Sequence, residues 1–175
     1  QMSLSHFTGK AIAMMLASGF DEAGFIAIQR AMMAAGAKLK IVSREVGLTN
    51  AWNGTGWGMS YPADATLSTT LAVDYDALIV PAGQRHVDAL QNEAHAKRVL
   101  GAFLRAKMPV LLQAEALKLL QLIDGGESRA IADDQDNVAV IDNNLVTIGE
   151  TGLDLVELTA LNQVIGTFVD ETQAA

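Results

Sequence analysis

The side chains with the type and place to do chemistry gather at three turns. Gln113-Ala114-Glu115 follows the apolar run Pro109-Val110-Leu111-Leu112 and enters a helical spacing with no Gly or Pro to soften the change. A strand that turns straight into a helix lifts one residue, here Ala114, to the carboxyl edge of an open sheet, where α/β proteins bind ligands or seat a nucleophile. Alanine has no reactive atom. Its neighbour Glu115 has one: at a helix start a carboxylate acts as acid or base if its pKa is shifted, or it stabilises the first turn through the helix dipole, which is the commoner role. Asp21 and Glu22 follow an earlier apolar run and reach the same edge. With Glu115 they would form a carboxylate set for a metal or for general acid/base work, although Asp21 as a plain helix N-cap is the simpler reading. Gln84-Arg85-His86 follows a third run, so His86 either contacts a ligand there with Arg85 or is an ordinary surface histidine.

The chemistry that is absent excludes more than these residues support. The 175 residues include no cysteine, hence no disulfide, no thiolate nucleophile and no cysteine-bound zinc or iron–sulfur site. His6, in a start that reads as disordered, and His95, on the exposed side of a helix, do not pair at a metal-binding spacing; Ser18 has no histidine placed to activate it. Neither G-x-G-x-x-G nor G-x-x-x-x-G-K occurs, so no metal and no cofactor is expected. A formal charge of −8 argues against nucleic acid or an anionic membrane as a partner. No apolar run approaches the ~20 residues of a span and no leader pattern opens the chain, which leads to the expectation of a cytoplasmic protein. Gln1-Met2-Ser3-Leu4 reads as a tag remnant, residues 1–9 as an arm, and residues 10–170 as one domain.

The elements that must position these residues alternate strand and helix. Lys10–Leu16 reads as a strand apolar on both faces, with Ala17–Phe20 its exit turn. Asp21 caps a helix over Glu22–Ala35 that turns Phe25, Ile26, Ile28, Met32 and Met33 inward and closes at Gly36; Lys38–Ser43 is the next strand. Together they make a βαβ unit of roughly 35 residues with a right-handed crossover. In Arg44–Pro62 the pair Asn53-Gly54 suggests a two-residue turn, and Trp52 and Trp57 beside it either cover a sheet edge or dimer seam, or wall a pocket. A short strand and turn over Ala63–Asp74, a parallel strand over Ala77–Val80, a helical turn over Val87–Leu90 and an amphipathic helix over Glu93–Arg105, with Val99, Leu100, Phe103 and Leu104 inward, follow. The helix after Ala114 ends at Gly125-Gly126. Arg129–Ala132 then suggests a strand, Asp133–Asn137 an acidic turn, Val138–Ile141 with Leu145–Ile148 a hairpin, and Asp154–Val169 a packing helix.

In this order the pieces resemble the ThiJ/PfpI superfamily, the group that contains the parkinsonism-associated protein deglycase and is similar to class I glutamine amidotransferase domains. The resemblance is carried by Ala11–Phe20 with Asp21-Glu22, Ala34-Ala35-Gly36-Ala37, Pro62–Leu67, Tyr75–Gly83, the Pro109 elbow and Asp142–Thr147. It implies an α/β three-layer sandwich with a mostly parallel, flavodoxin-like central sheet. It also implies a site: by position, the family's nucleophilic cysteine falls on Ala114, its following His and Gly on Glu115 and Ala116, and its acidic residue on Gly24. All four differ. The Pro-Gly-Gly whose backbone N–H helps form an oxyanion site is Pro81-Ala82-Gly83, so that element survives in part. Were Ala114 an engineered replacement, Gly24 and Glu115 would still look catalytic, so the loss reads as native, similar to the C-terminal domain of large-subunit catalases.

Two functions follow as expectations. One is a non-catalytic member, a homodimeric binding, chaperone-like or stress-related module whose degenerate pocket, formed by Asp21, Glu22, Gly24, Gly83, Gln84, His86, Gln113, Ala114 and Glu115, takes a small molecule or a protein ligand. The other is an enzyme of the same fold, a hydrolase, lyase or isomerase, that uses Glu115 with Asp21 or Glu22. Cysteine-dependent protease, deglycase or glyoxalase chemistry is closed to this chain.

Overall fold

The computed structural model describes residues 3–174, with side chains to Val169; Gln1 and Met2 of the expected tag remnant lie outside them. The first strand, β1 (Ala11–Leu16), alternates its contacts between two separate cores: Ala13 and Met15 face one, Ile12, Met14 and Leu16 the other. An apolar run without polar alternation is what a strand covered on both faces requires. Around it a seven-stranded sheet is ordered β6 (Ala65–Thr66), β3 (Lys38–Ser43), β1, β7 (Ala77–Val80), β8 (Val110–Gln113), β10 (Leu145–Ile148) and β9 (Val140–Asp142). All neighbours are parallel except the β9–β10 hairpin. Helices α1 (Glu22–Ala35) and α4 (Val156–Ala174) cover one face; α2 (Gln84–Gln91) and α3 (Ala94–Arg105) cover the other. This is the three-layer, flavodoxin-like α/β arrangement anticipated above.

Local signals explain the helix boundaries. Asp21 accepts a bond from the Gly24 N–H at 2.9 Å, and Gly36 closes α1 at φ 77°, where a side chain would be strained. Glu93 caps α3 in the same way through the His95 N–H. A second, small sheet joins β2 (Phe20–Asp21), β4 (Leu48–Trp52) and β5 (Trp57–Pro62). It holds the hairpin beside the end of β1.

Several expectations change. Met33 is 77% exposed, because it lies about 100° around the helix from the buried Phe25–Ile28–Met32 stripe. The turn at Asn53-Gly54 is a four-residue loop in which Asn53 Oδ1 gathers the N–H groups of Thr55 and Gly56. Arg129–Ala132 is not a strand: its bonds go to side chains, from Arg129 and the Ala130 N–H to the Asp142 carboxylate and from the Ala132 N–H to Thr147 Oγ1, so no ladder forms. The helix after the elbow is a 3₁₀ helix over Ala114–Leu122 and ends before Gly125. Its buried residues are Ala116, Leu119 and Leu120, and Leu117 and Leu122 pack partly buried against the same core. The start is ordered as well: Ser5–Phe7 forms a 3₁₀ turn, Phe7 is fully buried, and the His6 N–H bonds Asn162 Oδ1 of α4 at 2.8 Å.

Candidate functional site

Strand order reverses between β1 and β7, and β8 lies next to β7, so the carboxyl ends of these three strands surround the crevice where open α/β sheets bind ligands. At the end of β8, which is fully buried, the chain turns at Ala114 with φ 51°. A left-handed backbone costs an L-residue about 1–2 kcal/mol. The surrounding packing therefore imposes this turn, and it does so without a reactive side chain to present.

Just past the end of β7 the chain meets β2, which follows β1, backbone to backbone. Gly83 has φ 135°, and a Cβ there would lie 2.7 Å from Gly19 O, 2.8 Å from Phe20 Cα and 2.9 Å from the Asp21 nitrogen. Only glycine fits. The Asp21 N–H donates to Ala82 O at 2.9 Å, which locks the approach. Gly83 keeps its own N–H free of the backbone, and that group donates to Glu115 Oε1 at 3.0 Å. The donor anticipated as the surviving part of an oxyanion site is thus filled by a carboxylate of the chain itself.

These turns border a cleft of about 820 Å³. Asp21, Gly83, Gln84, Ala114 and Glu115 line it, joined by Asp134, Glu150, Thr151, Lys118, Gln121 and Trp52. Lys118 is tied to Gln84 Oε1 at 3.2 Å. The Arg85 guanidinium stacks on the Trp52 ring at 3.9 Å from its centre, and Trp57 meets Trp52 edge to face at 5.4 Å. Trp52 therefore walls the cleft, while Trp57 stands outside it, 56% exposed. Burial foremost, and then the like charges of Glu115 and Glu22, hold the Asp21 carboxyl above the usual carboxylate range; its bond from Gly24 pulls the other way. A partly buried acid of raised pKa beside a second carboxylate can hold or pass a proton. Among the described residues, no three His, Asp or Glu side chains converge to hold a metal ion.

Four of the residues expected in the pocket do not line it. Glu22 turns to the hairpin, where its Oε2 accepts from the Met59 N–H at 2.8 Å and the Tyr61 hydroxyl at 3.2 Å. Gly24 lies under Asp21, and a Cβ there would sit 2.6 Å from Asp21 Oδ2, so the N-cap occupies the space of a side chain. His86 is not a surface group and does not line the cleft. It is fully buried, its Nδ1 accepts from the Ala17 N–H at 3.3 Å, and its Nε2–H donates to Pro81 O at 2.7 Å. Burial lowers its pKa to about 4 against the smaller opposing pulls of Pro81 and Glu115. Gln113 points away from the cleft, to Glu157. Conversely, Asp134, Glu150 and Thr151 line the cleft, although the sequence marks Asp133–Asn137 only as an acidic turn and Glu150 and Thr151 with no motif. The available signal was their position just past Ile148, at the carboxyl end of a parallel strand. Gly149 lets that turn close in, since a Cβ on it would overlap Asp133 O.

The comparisons with known proteins agree with this fold. The chain is similar in fold to a two-domain protein of Anabaena variabilis containing DJ-1/ThiJ/PfpI-like and ferritin-like domains, with TM-score 0.78 and 18% identity. That match covers 90% of this chain and 48% of the other, so the chain spans about half the length of that protein. It is also similar to oxidized DJ-1 of Toxoplasma gondii, with TM-score 0.72, 15% identity and 95% and 94% of the two chains covered. For DJ-1beta of Drosophila melanogaster the values are 0.69, 17%, 90% and 89%. No curated protein matches the sequence. Residues 10–153 match the DJ-1/PfpI family, and the chain, with an alanine at its elbow and no cysteine, belongs to that family.

Proposed function

We propose that this chain is a non-catalytic DJ-1/PfpI-family module that binds a small ligand in the cleft over the elbow and works as a homodimer. One observation carries the reading: with no nucleophile at Ala114, the Glu115 carboxylate accepts the Gly83 N–H that would otherwise stabilise an oxyanion. Asp21, Glu115, Asp134 and Glu150 face a single ammonium, Lys118, so the cleft favours cationic or neutral hydrogen-bonding ligands and repels anions. Purified protein is expected to show no methylglyoxal consumption and no peptidase activity, and calorimetric titration is expected to detect small amines and not small carboxylates. Turnover by the wild type, abolished by Glu115→Gln, would overturn this reading. The dimer predicts a light-scattering mass near twice 18.5 kDa.

A second reading is supported by the raised pKa of Asp21 beside Glu115. It is an enzyme that uses this pair for proton transfer, with Glu22 committed to the hairpin. Activity lost in both Asp21→Asn and Glu115→Gln, but kept in Glu22→Gln, would favour it.

A further inference from the structure

Behind the elbow, on the α1/α4 side of the sheet, Gln113 and Glu157 meet in the core, 1% and 0% exposed. Along β8 the side chains alternate: Val110 and Leu112 enter the α2/α3 core, Leu111 the other, and Gln113 follows Leu111 toward the first turn of α4. Gln113 Nε2 donates to Glu157 Oε2 at 2.7 Å. The second oxygen of each side chain, Gln113 Oε1 and Glu157 Oε1, is buried without a hydrogen-bond partner among the described residues. One buried acceptor is thus left over on each of two side chains that already share a hydrogen bond. An ionised carboxylate cannot relieve this, because it accepts only, and the amide has already turned its N–H to it. A single proton relieves both.

We propose that Glu157 is carried as a neutral carboxylic acid at neutral pH, its Oε1–H donating to Gln113 Oε1 while Oε2 keeps the bond from Nε2, so that acid and amide close a two-bond ring. In this ring Glu157 is a positioning residue for the elbow. Gln113 directly precedes Ala114 at φ 51°, and Glu157 lies two residues after Leu155 at φ 48°, so the ring ties together two left-handed turns that neither alanine nor leucine favours.

Among the described residues, the elements packed against Glu157 offer no cation to its ionised form. Neither β8 nor β10 carries a charged residue. On the Ser5–Phe7 turn, His6 lies against Gly166, far along α4 from Glu157. On β9, Asp142 is paired with Arg129; on α1, Glu22 is bonded to the hairpin and Arg30 is exposed. Asp154, of like sign, is the charge that reaches Glu157. Burial above all, with Asp154, pushes the carboxyl above its usual range, against smaller pulls from its own backbone N–H and Gln113.

Infrared spectra of protein labelled with ¹³C at the glutamate carboxyls test the proposal. The wild type at neutral pH is expected to show a protonated-carboxyl band that is missing in Glu157→Gln and that titrates away reversibly at alkaline pH. A spectrum containing only carboxylate bands would overturn the assignment, and the wild type alone suffices for this result if the variant does not fold. Gln at 157 places an N–H where the acid has its O–H, so the variant keeps the ring without the proton. Because the native pKa is raised, the wild type binds a proton that the unfolded chain releases above about pH 4.3. Its melting temperature should therefore fall relative to Glu157→Gln as pH rises above that point. A gap that is flat with pH, or that moves in favour of the wild type, would refute the neutral acid.

Discussion

Ala114 holds a backbone conformation that its own side chain opposes. Replacement by glycine removes a cost of about 1–2 kcal/mol and adds back about 0.5–1 kcal/mol of unfolded-state freedom. Ala114→Gly is therefore expected to stabilise the fold by roughly 0.5–1 kcal/mol, a rise of about 1–4 °C in melting temperature for a chain of this size. Thermal melts check this; a loss of stability would mean that the alanine methyl packs better than the turn is strained. At the neighbouring position, Glu115→Gln keeps an oxygen for the Gly83 N–H and removes a negative charge near Asp21. The Asp21 carboxyl should then titrate lower than in the wild type, as followed by carboxyl NMR, while burial keeps it above a free aspartate. An unchanged Asp21 titration would show that the two carboxylates do not interact.

At the scale of elements, the site depends on how closely the turn after β7 approaches β2 and the glycine before it. Gly83→Ala would drive a methyl into Gly19 O and Phe20 Cα, all backbone, and should destabilise the fold by about 3 kcal/mol or more. Gly36→Ala strains only its own φ and should cost less, about 1 kcal/mol; denaturant melts of the two variants check the order. This contrast also explains what the sequence could disclose. Strands β1, β3, β7 and β10 were legible because each is an apolar or β-branched run bounded by turn residues, and α1 because Asp21 and Gly36 mark both its ends. The backbone contact at Gly83 was not legible, since it joins residues more than sixty positions apart and leaves only a glycine in the sequence. Arg129–Ala132 misled for a related reason: its residues suit a strand, but distant side chains, Asp142 and Thr147, took its hydrogen bonds. Of the site, the edge of the sheet and the elbow could be read. Which side chains turn into the cleft was decided by partners such as Tyr61 for Glu22 and Pro81 for His86.

Across the whole molecule, buried titratable groups act on stability in opposite directions. His86 is held neutral with a native pKa of about 4 against about 6.5 unfolded, so acid unfolds the chain by protonating it. The unfolded state binds the proton first. Stability should fall as pH drops from about 6.5 toward 4, by up to about 3 kcal/mol. His86→Gln, which can still donate and accept, should flatten this acid limb while lowering stability at neutral pH by about 1–3 kcal/mol. Asp21 has the opposite sign: its raised pKa makes it contribute most at low pH and lose that contribution as pH rises through its native value. Melts of the single variants from pH 4 to 8 separate the two slopes; an acid limb unchanged in His86→Gln would show that another group drives it.

The left-handed turn at Ala114 also makes the protein a convenient instrument. Its geometry belongs to the scaffold and not to the residue mounted on it, and the chain has no thiol of its own. A cysteine installed there would be a single addressable port on the floor of the cleft, and a solvent-sensitive dye attached to it would change emission whenever a ligand displaced water around it. Slow labelling is expected, because Asp21 and Glu115 line the same cleft and disfavour a thiolate. With that reporter, libraries of unidentified metabolites could be screened optically, with occupancy of the cleft as the signal and no reaction required.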